Sequence, residues 1–490
     1  MEMPDSISDP MDEADDHFHD ECGVFGIFGR QDAAVVATLG LHALQHRGQE
    51  AAGIVSYDGS QFFVERHVGL IGDNFTKPAV IQRLKGNSAI GHARYSTTGG
   101  AGLRNVQPLF AELADGGFAV AHNGNLTNAM TVQRELQKRG AIFSSTSDTE
   151  TILHLVAMSG EKSFMDRFVS AIRQLEGAYS LVSLTNKKMI GCRDPLGIRP
   201  LVIGDLDGAW ILASETCALD IIGARYVRDV KPGEVVIFTE DGMQSLFPFE
   251  QQKSRFCIFE YVYFARPDSI IDGRNVYEAR KRIGIELAKE SPCDGDVVVP
   301  VPDSGTPAAI GFSQASSLPF ELGIIRNHYV GRTFIQPSDS IRHMGVKLKH
   351  NANRRMLEGK RVVLVDDSIV RGTTSQKIVQ MVRDAGASEV HMRIASPPTM
   401  SSCYYGVDTP EKSKLLASRM SISEMADFIR VDSLGFLSID GLYRAVFEPS
   451  RNNASPQFCD ACFTGEYPTR LMDRDGTDKV RTLSLLASNG

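Results

Sequence analysis

At 490 residues the chain exceeds one ordinary core, so it is read as two large domains. A composition 42% hydrophobic and 23% charged is that of a soluble globular protein, and no apolar run is long enough to span a bilayer, which excludes a membrane protein. The formal net charge of -8 argues against a nucleic-acid partner.

Residues 1–21 carry nine acidic side chains and no Lys or Arg, which excludes a secretory signal and an Arg-rich transit peptide. Composition alone reads this leader as a disordered acidic tail. Without an export signal the eight cysteines belong in a reducing cytoplasm, as thiols or metal ligands rather than disulfides.

From Cys22 to about Leu246, short alternating apolar runs such as "GVFGIFG" and "GGFAVAHNGNLTN" are broken by Gly, Asn and Asp. They predict antiparallel strands, interrupted by helices over Val132–Arg139 and Thr149–Met158, in a sheet-rich α+β domain. Four polar pieces stand out in these apolar settings: "LQHRGQE" around Arg47, "GHARYSTTG" around Arg94, "AHNGNLTN" around Asn123 and Gly124, and "STSDTE" around Asp148. Singly, each reads as a turn or a helix cap. Together with Cys22 they supply what a glutamine site needs: a cation for the carboxylate, an anion for the ammonium, donors for an oxyanion, and a nucleophile.

The character changes near residue 252, beyond the polar "EQQKSR". "DVVVPVPDSGTPAAIGFSQA" and "KRVVLVDDSIVRGTTSQKIVQMVRDAGA" are each a continuous apolar strand, a small-residue loop and an amphipathic helix, the signature of βα units on a buried parallel sheet. In the second, Asp366 and Asp367 end the strand and Gly372-Thr373-Thr374-Ser375 opens the helix. Two adjacent carboxylates at a parallel strand end can grip ribose hydroxyls or Mg²⁺, and small residues let the N–H groups of a helix start close around a phosphate. Residues 326–351 carry Arg326, Arg332, Arg342, Lys347 and Lys349 against Asp339 alone, so they could close over a polyanion. Cys459 and Cys462 form a C-x₂-C pair, with Cys257 and Cys403 isolated; four thiolates would satisfy Zn²⁺ or an iron–sulfur cluster, spacing does not choose between them, and free buried cysteine is the alternative. Cys192, Cys217 and Cys293 match no site and are assigned to the core. From about Arg470 the sequence is too polar and patternless to assign.

"VVLVDDSIVRGTTS" resembles the phosphoribosylpyrophosphate (PRPP) signature of the type I phosphoribosyltransferases, and "VPVPDSGTP" their pyrophosphate loop. That resemblance implies an α/β domain with a mainly parallel sheet over 253–470. It implies PRPP on Asp303, Ser304, Gly305, Asp366, Asp367, Gly372, Thr373, Thr374 and Ser375, and Mg²⁺ on Ser304, Asp366 and Asp367. The first half, 22–252, resembles the class II glutamine amidotransferases, N-terminal-nucleophile (Ntn) hydrolases with an α-β-β-α sandwich. By that resemblance Cys22 is the nucleophile; Arg47, Arg94 and Thr97 hold the glutamine carboxylate side; Asp148 binds the α-ammonium; Asn123 and Gly124 form the oxyanion hole. It also requires Cys22 to be the first residue of the mature chain, because a free α-amine, with a pKa near about 7.7, can take the thiol proton and an amide cannot. The leader 1–21 becomes a propeptide, and 471–490 a C-terminal tail.

Joined in one chain, the two halves resemble the glutamine-dependent PRPP amidotransferases. The expectation is hydrolysis of glutamine, then attack of the ammonia on C1 of PRPP to give 5-phosphoribosylamine and pyrophosphate, the committed step of purine synthesis. A dry path between the sites is implied, lined by Arg332, Phe334 and Tyr263. The family's cluster-bearing branch is matched at Cys257, Cys403, Cys459 and Cys462, which implies a structural 4Fe–4S cluster. Purine nucleotide inhibitors (AMP, GMP) and a homotetramer follow from the resemblance alone. The competing readings are a PRPP-sensing regulatory protein, which needs neither a glutaminase pocket nor a lid, and another Ntn amidotransferase, separated by its acceptor half.

Overall fold

Both faces of the strand Gly23–Phe28 are covered, and that is why its sequence is apolar throughout instead of alternating. Phe25 and Ile27 face the helix Ala33–Ala43, while Val24 faces a second sheet. The computed structural model describes residues 22–95, 102–327 and 350–473. Thr97, Arg332, Phe334, the leader 1–21 and most of the tail lie outside the described residues.

Two antiparallel sheets stack in the first half. The seven-stranded one runs Arg225–Asp229, Val202–Leu206, Ala209–Ala213, Gly23–Phe28, Ser88–Arg94, Ala51–Tyr57, Phe62–Val68. The six-stranded one runs Gly242–Leu246, Val235–Thr239, Met189–Arg193, Gly177–Thr185, Gly116–Leu126, Leu109–Leu113. Val24, Ile90, Ala121, Val182, Leu212 and Phe238 form the dry layer between them. Helix Ala33–Ala43 covers one outer face, and Thr149–Ala157 and Phe164–Ile172 cover the other. This is the α-β-β-α sandwich that the amidotransferase resemblance implies.

The helix expected over Val132–Arg139 is observed as Ala129–Lys138. Its early start has a partner far off in sequence: the Asp473 carboxylate accepts from the N–H groups of Met130 at 2.8 Å and Thr131 at 2.9 Å. An acceptor at the otherwise unsatisfied donors of a helix start is a cap, and this one is invisible in a local window.

In the second half a wholly parallel sheet runs Val297–Pro300, Arg361–Asp366, Glu389–Ile394, Ser433–Phe436. Helices Val276–Glu290 and Thr306–Ser316 pack so closely that a Cβ at Gly284 would lie 1.8 Å from the Ala308 carbonyl oxygen. Among the described residues no helix is long and apolar enough to cross a membrane.

The second of those helices opens at the loop Asp303–Gly305, so its seating fixes that loop. Gly284→Ala is therefore expected to lower stability by about 1–3 kcal/mol through overpacking, read from urea unfolding. Gly160→Ala, where a Cβ would meet nothing within 4 Å, is the control and should leave the midpoint unchanged.

Candidate active sites

Strand pairing brings the first-half residues together. Gly23 lies opposite Ala93, which sets Cys22 beside the end of Ser88–Arg94. Cys22 is buried, and its Sγ lies 3.6 Å from the Tyr95 carbonyl oxygen. Arg94 is buried as well; burial works against its cation, while Cys22, Glu50 and Asp148 favour it. Cys22, Arg94 and Asp148 thus share one electrostatic neighbourhood.

The strand Gly116–Leu126 of the other sheet brings Asn123 and Gly124. Asn123 is fully buried, and neither its Nδ2 nor its Oδ1 has a hydrogen-bond partner. An unanswered buried amide is costly, and its geometry suits a group that arrives with the substrate. Gly124 has φ +135°, and a Cβ there would lie 2.1 Å from the Ala178 carbonyl oxygen, so only glycine fits. Asp148 precedes the helix Thr149–Ala157 and accepts from the Leu126 N–H at 2.9 Å. Burial opposes its ionisation, but the His122 ring and the Leu126 and Thr149 N–H groups outweigh this and hold the carboxyl below its usual range. It is an anion, as an ammonium site requires.

Two histidines inside the polar pieces, His92 of "GHARYSTTG" and His122 of "AHNGNLTN", support this strand. His122 lies between Asp148, at 3.6 Å, and the Ala178 carbonyl, at 3.3 Å. His92 crosses between the sheets with its Nε2 3.1 Å from the His122 carbonyl oxygen. Burial, then the Arg94 charge, push His92 down to about 3, so it is neutral and donates to that oxygen.

Arg47 is placed differently from the others. It is buried on the turn Gln45–Arg47 and donates from Nε to Glu215 and from Nη1 and Nη2 to Glu260, at 3.3 and 2.5 Å. Its charge is already answered by two carboxylates, neither singled out from sequence. Either substrate carboxylate contact must share it, or its work is to hold the turn.

In the second half, the ends of Val297–Pro300 and Arg361–Asp366 lie side by side, with Pro300 opposite Val365. A Cβ at Gly305 would lie 2.5 Å from the Val365 carbonyl oxygen, so the loop Asp303–Gly305 sits against the acid pair. Asp366 and Asp367 are buried, and Asp367 Oδ2 has no partner. A buried carboxylate oxygen left open fits a Mg²⁺ ion or a ribose hydroxyl. Gly372, at φ +83°, precedes the helix Thr373–Asp384, and the first N–H groups of a helix are suited to an anion. Arg326 pairs with Asp303. Tyr263 lies partly buried in the π-helical turn Glu260–Phe264, against Phe264 and Phe259.

The four singled-out cysteines line one cavity, together with Arg199, Phe259, Tyr405 and Ala461. Parallel pairing of Phe256–Cys257 with Phe458–Cys459 sets Cys257 beside Cys459, and the Met400 and Ser401 N–H groups donate to the Cys462 carbonyl. Burial pushes the Cys459 thiol up to about 12; burial and then the three companion sulfurs push Cys462 well above its ordinary value too. Convergent thiols whose ionisation is opposed fit a positively charged metal group, which would reverse that penalty. As they stand, however, these thiols do not close on one point: among the described residues no group of three or more His, Cys, Asp or Glu is placed to hold a metal ion. No cysteine is in a disulfide; Cys192 and Cys217 are core residues as expected, and Cys293 is half-buried.

Residues 92–220 match the glutamine amidotransferase domain family. The chain is 62% identical to the amidophosphoribosyltransferase of Rhizobium etli over 98% of each, and 49% identical to that of Bacillus subtilis over 92% of this chain and 95% of the other. The solved B. subtilis glutamine PRPP amidotransferase, complexed with ADP and GMP, superposes with a TM-score of 0.87 at 48% identity, covering 92% of this chain and 98% of that one. With full-length identity at that level and both expected folds in place, the chain belongs to the amidophosphoribosyltransferases, enzymes of purine biosynthesis that transfer nitrogen from glutamine to PRPP.

Proposed function

We propose that residues 22–252 hydrolyse glutamine at Cys22 and that residues 253–470 pass the ammonia to C1 of PRPP. The observation that carries this reading is the buried, unpartnered amide of Asn123 beside Gly124, on a strand tied through His122 to the Asp148 anion. Removal of 1–21 after Glu21 frees the Cys22 amine. The amine takes the thiol proton, and the sulfur attacks the glutamine carboxamide carbon. Asn123 Nδ2–H and the Gly124 N–H receive the negative charge that develops on oxygen. The tetrahedral adduct collapses, ammonia leaves with the proton returned by the amine, and water then cleaves the thioester to glutamate. Arg94, with Thr97 and Arg47, answers the substrate carboxylate, and Asp148 its ammonium.

At the second site the Thr373–Ser375 N–H groups seat the 5′-phosphate, Asp366 and Asp367 hold the ribose, and Asp303–Gly305 receive the pyrophosphate. Mg²⁺ on Ser304, Asp366 and Asp367, when bound, supplies charge neutralisation for the leaving pyrophosphate. Ammonia bonds to C1 as the C1–O bond breaks. Closure of 326–351, with Arg332, Phe334 and Tyr263 along the path, keeps that ammonia from water, which would protonate it. The four cysteines belong to the cluster-bearing branch and hold a structural 4Fe–4S group that ties residue 257 to the C-terminal segment. The enzyme is placed in the cytoplasm as a homotetramer. Purine nucleotide inhibition is proposed from the relative solved with ADP and GMP.

Cys22→Ala is expected to abolish glutamine use while ammonia-dependent synthesis from PRPP persists. Asn123→Ala should lower glutaminase kcat by about 10²–10³ with KM little changed. Retained glutaminase activity in the first variant, or a pure KM effect in the second, would contradict the assignments. Anaerobically purified protein should be brown, with about four irons per chain, and should lose both colour and activity in air; colourless, zinc-loaded, active protein would decide against iron.

A further inference from the structure

Four charged side chains lie between the two halves in one buried volume. Arg47, Arg199 and Glu215 come from the sandwich, Glu260 from the chain that follows it, and none has a side chain more than 1% exposed. Two cations face two anions. Arg47 reaches both Glu260 oxygens, and Arg199 Nη1 reaches Glu260 Oε1 at 3.4 Å while its Nε donates to the Tyr405 carbonyl at 2.8 Å. Glu215 also accepts from the Arg266 N–H at 2.9 Å and the Ser269 hydroxyl at 2.6 Å.

What Arg47 holds in place is the turn next to the nucleophile. A Cβ at Gly23 would lie 3.1 Å from Leu44 Cβ and 3.4 Å from Arg47 Cβ, and a Cβ at Gly48 would lie 2.6 Å from the Arg94 nitrogen. The turn is therefore wedged between the residue after Cys22 and the backbone of Arg94. On the other side, Arg280 donates to the carbonyls of Tyr261 at 2.9 Å, Tyr263 at 2.6 Å and Ala265 at 2.7 Å, clamping the turn that carries Glu260. Asp367, in the acid pair of the second half, and Glu260 both favour the Arg280 cation against its burial.

We infer that Glu260 is a positioning residue for the glutamine site: by gripping Arg47 it fixes the wedge between Cys22 and Arg94 to the segment that Arg280 anchors beside the PRPP acids. The inference rests on the reading of Cys22 and Arg94 as glutamine-site residues. Removing the Glu260 charge leaves Arg47 with Glu215 alone, a carboxylate it shares with His46 at 2.7 Å, so Arg47 and its turn shift first. The PRPP edge, held by its own strands, stays.

The test uses full-length Glu260→Gln enzyme, assayed with glutamine and separately with ammonium. Glutamine kcat/KM should fall by about tenfold or more, the scale of breaking a buried charge pair, while ammonia-dependent synthesis stays within about twofold. Iodoacetamide labelling of Cys22 should change rate in parallel with glutamine use. Unchanged glutamine kinetics overturn the inference; so does parallel loss of both activities, which marks a folding role. Should Glu260→Gln fail to fold, Glu260→Asp keeps the charge but withdraws it by one methylene. It should raise glutamine KM severalfold with ammonia use intact, and an unmoved KM overturns the inference equally. A Cys22→Ala protein that still hydrolyses glutamine would instead sink the site reading itself.

Discussion

Charges can leave water only in balanced, hydrogen-bonded groups, and the junction of this chain is built on that constraint. Arg47 pairs with Glu215 and Glu260 and Arg199 with Glu260, and neither half supplies the whole set. Separated, Arg47 and Arg199 would lose Glu260, and Glu260 would lose both arginines. The two halves are thus obliged to dock, and docking sets the first residues of the nucleophile strand against the segment that leads to the PRPP edge.

A second contact reinforces the first. The Asn125 amide donates to the Tyr404 carbonyl at 3.1 Å, and a Cβ at Gly406 would lie 2.9 Å from Gly124 Cα. The segment carrying Cys403 therefore rests directly on the strand of Asn123 and Gly124. The four-cysteine cavity, the buried charges and the proposed oxyanion donors form one contiguous packed region, which is where a reaction needing a dry transfer between two sites must be most rigid.

The periodic and chemical parts of this arrangement were legible in the sequence. Apolar runs of two kinds separated an antiparallel, sheet-rich half from a parallel sheet, and Asp366–Asp367 before Gly372 marked a strand end and a helix start. The cap that Asp473 places on the helix Ala129–Lys138 was not legible, because its partner lies 343 residues away. Nor were Glu215, Glu260, Arg199 and Arg280, since a buried ion pair leaves no spacing pattern: Glu260 is a lone charge in an apolar run and Arg280 one of several charges in a row, each meaningful only once the other chain segment is beside it. His92 and His122 sat inside quoted motifs, yet their work is to hold backbone carbonyls, which residue type alone does not announce.

Everything proposed for the first half turns on Cys22 being a chain terminus whose own amine is its base. Intact-mass analysis with N-terminal sequencing of active, anaerobically purified protein tests this directly. The account predicts a chain beginning Cys22-Gly23-Val24, lighter by the residues up to Glu21. Protein that uses glutamine at full rate with that leader still attached would contradict it.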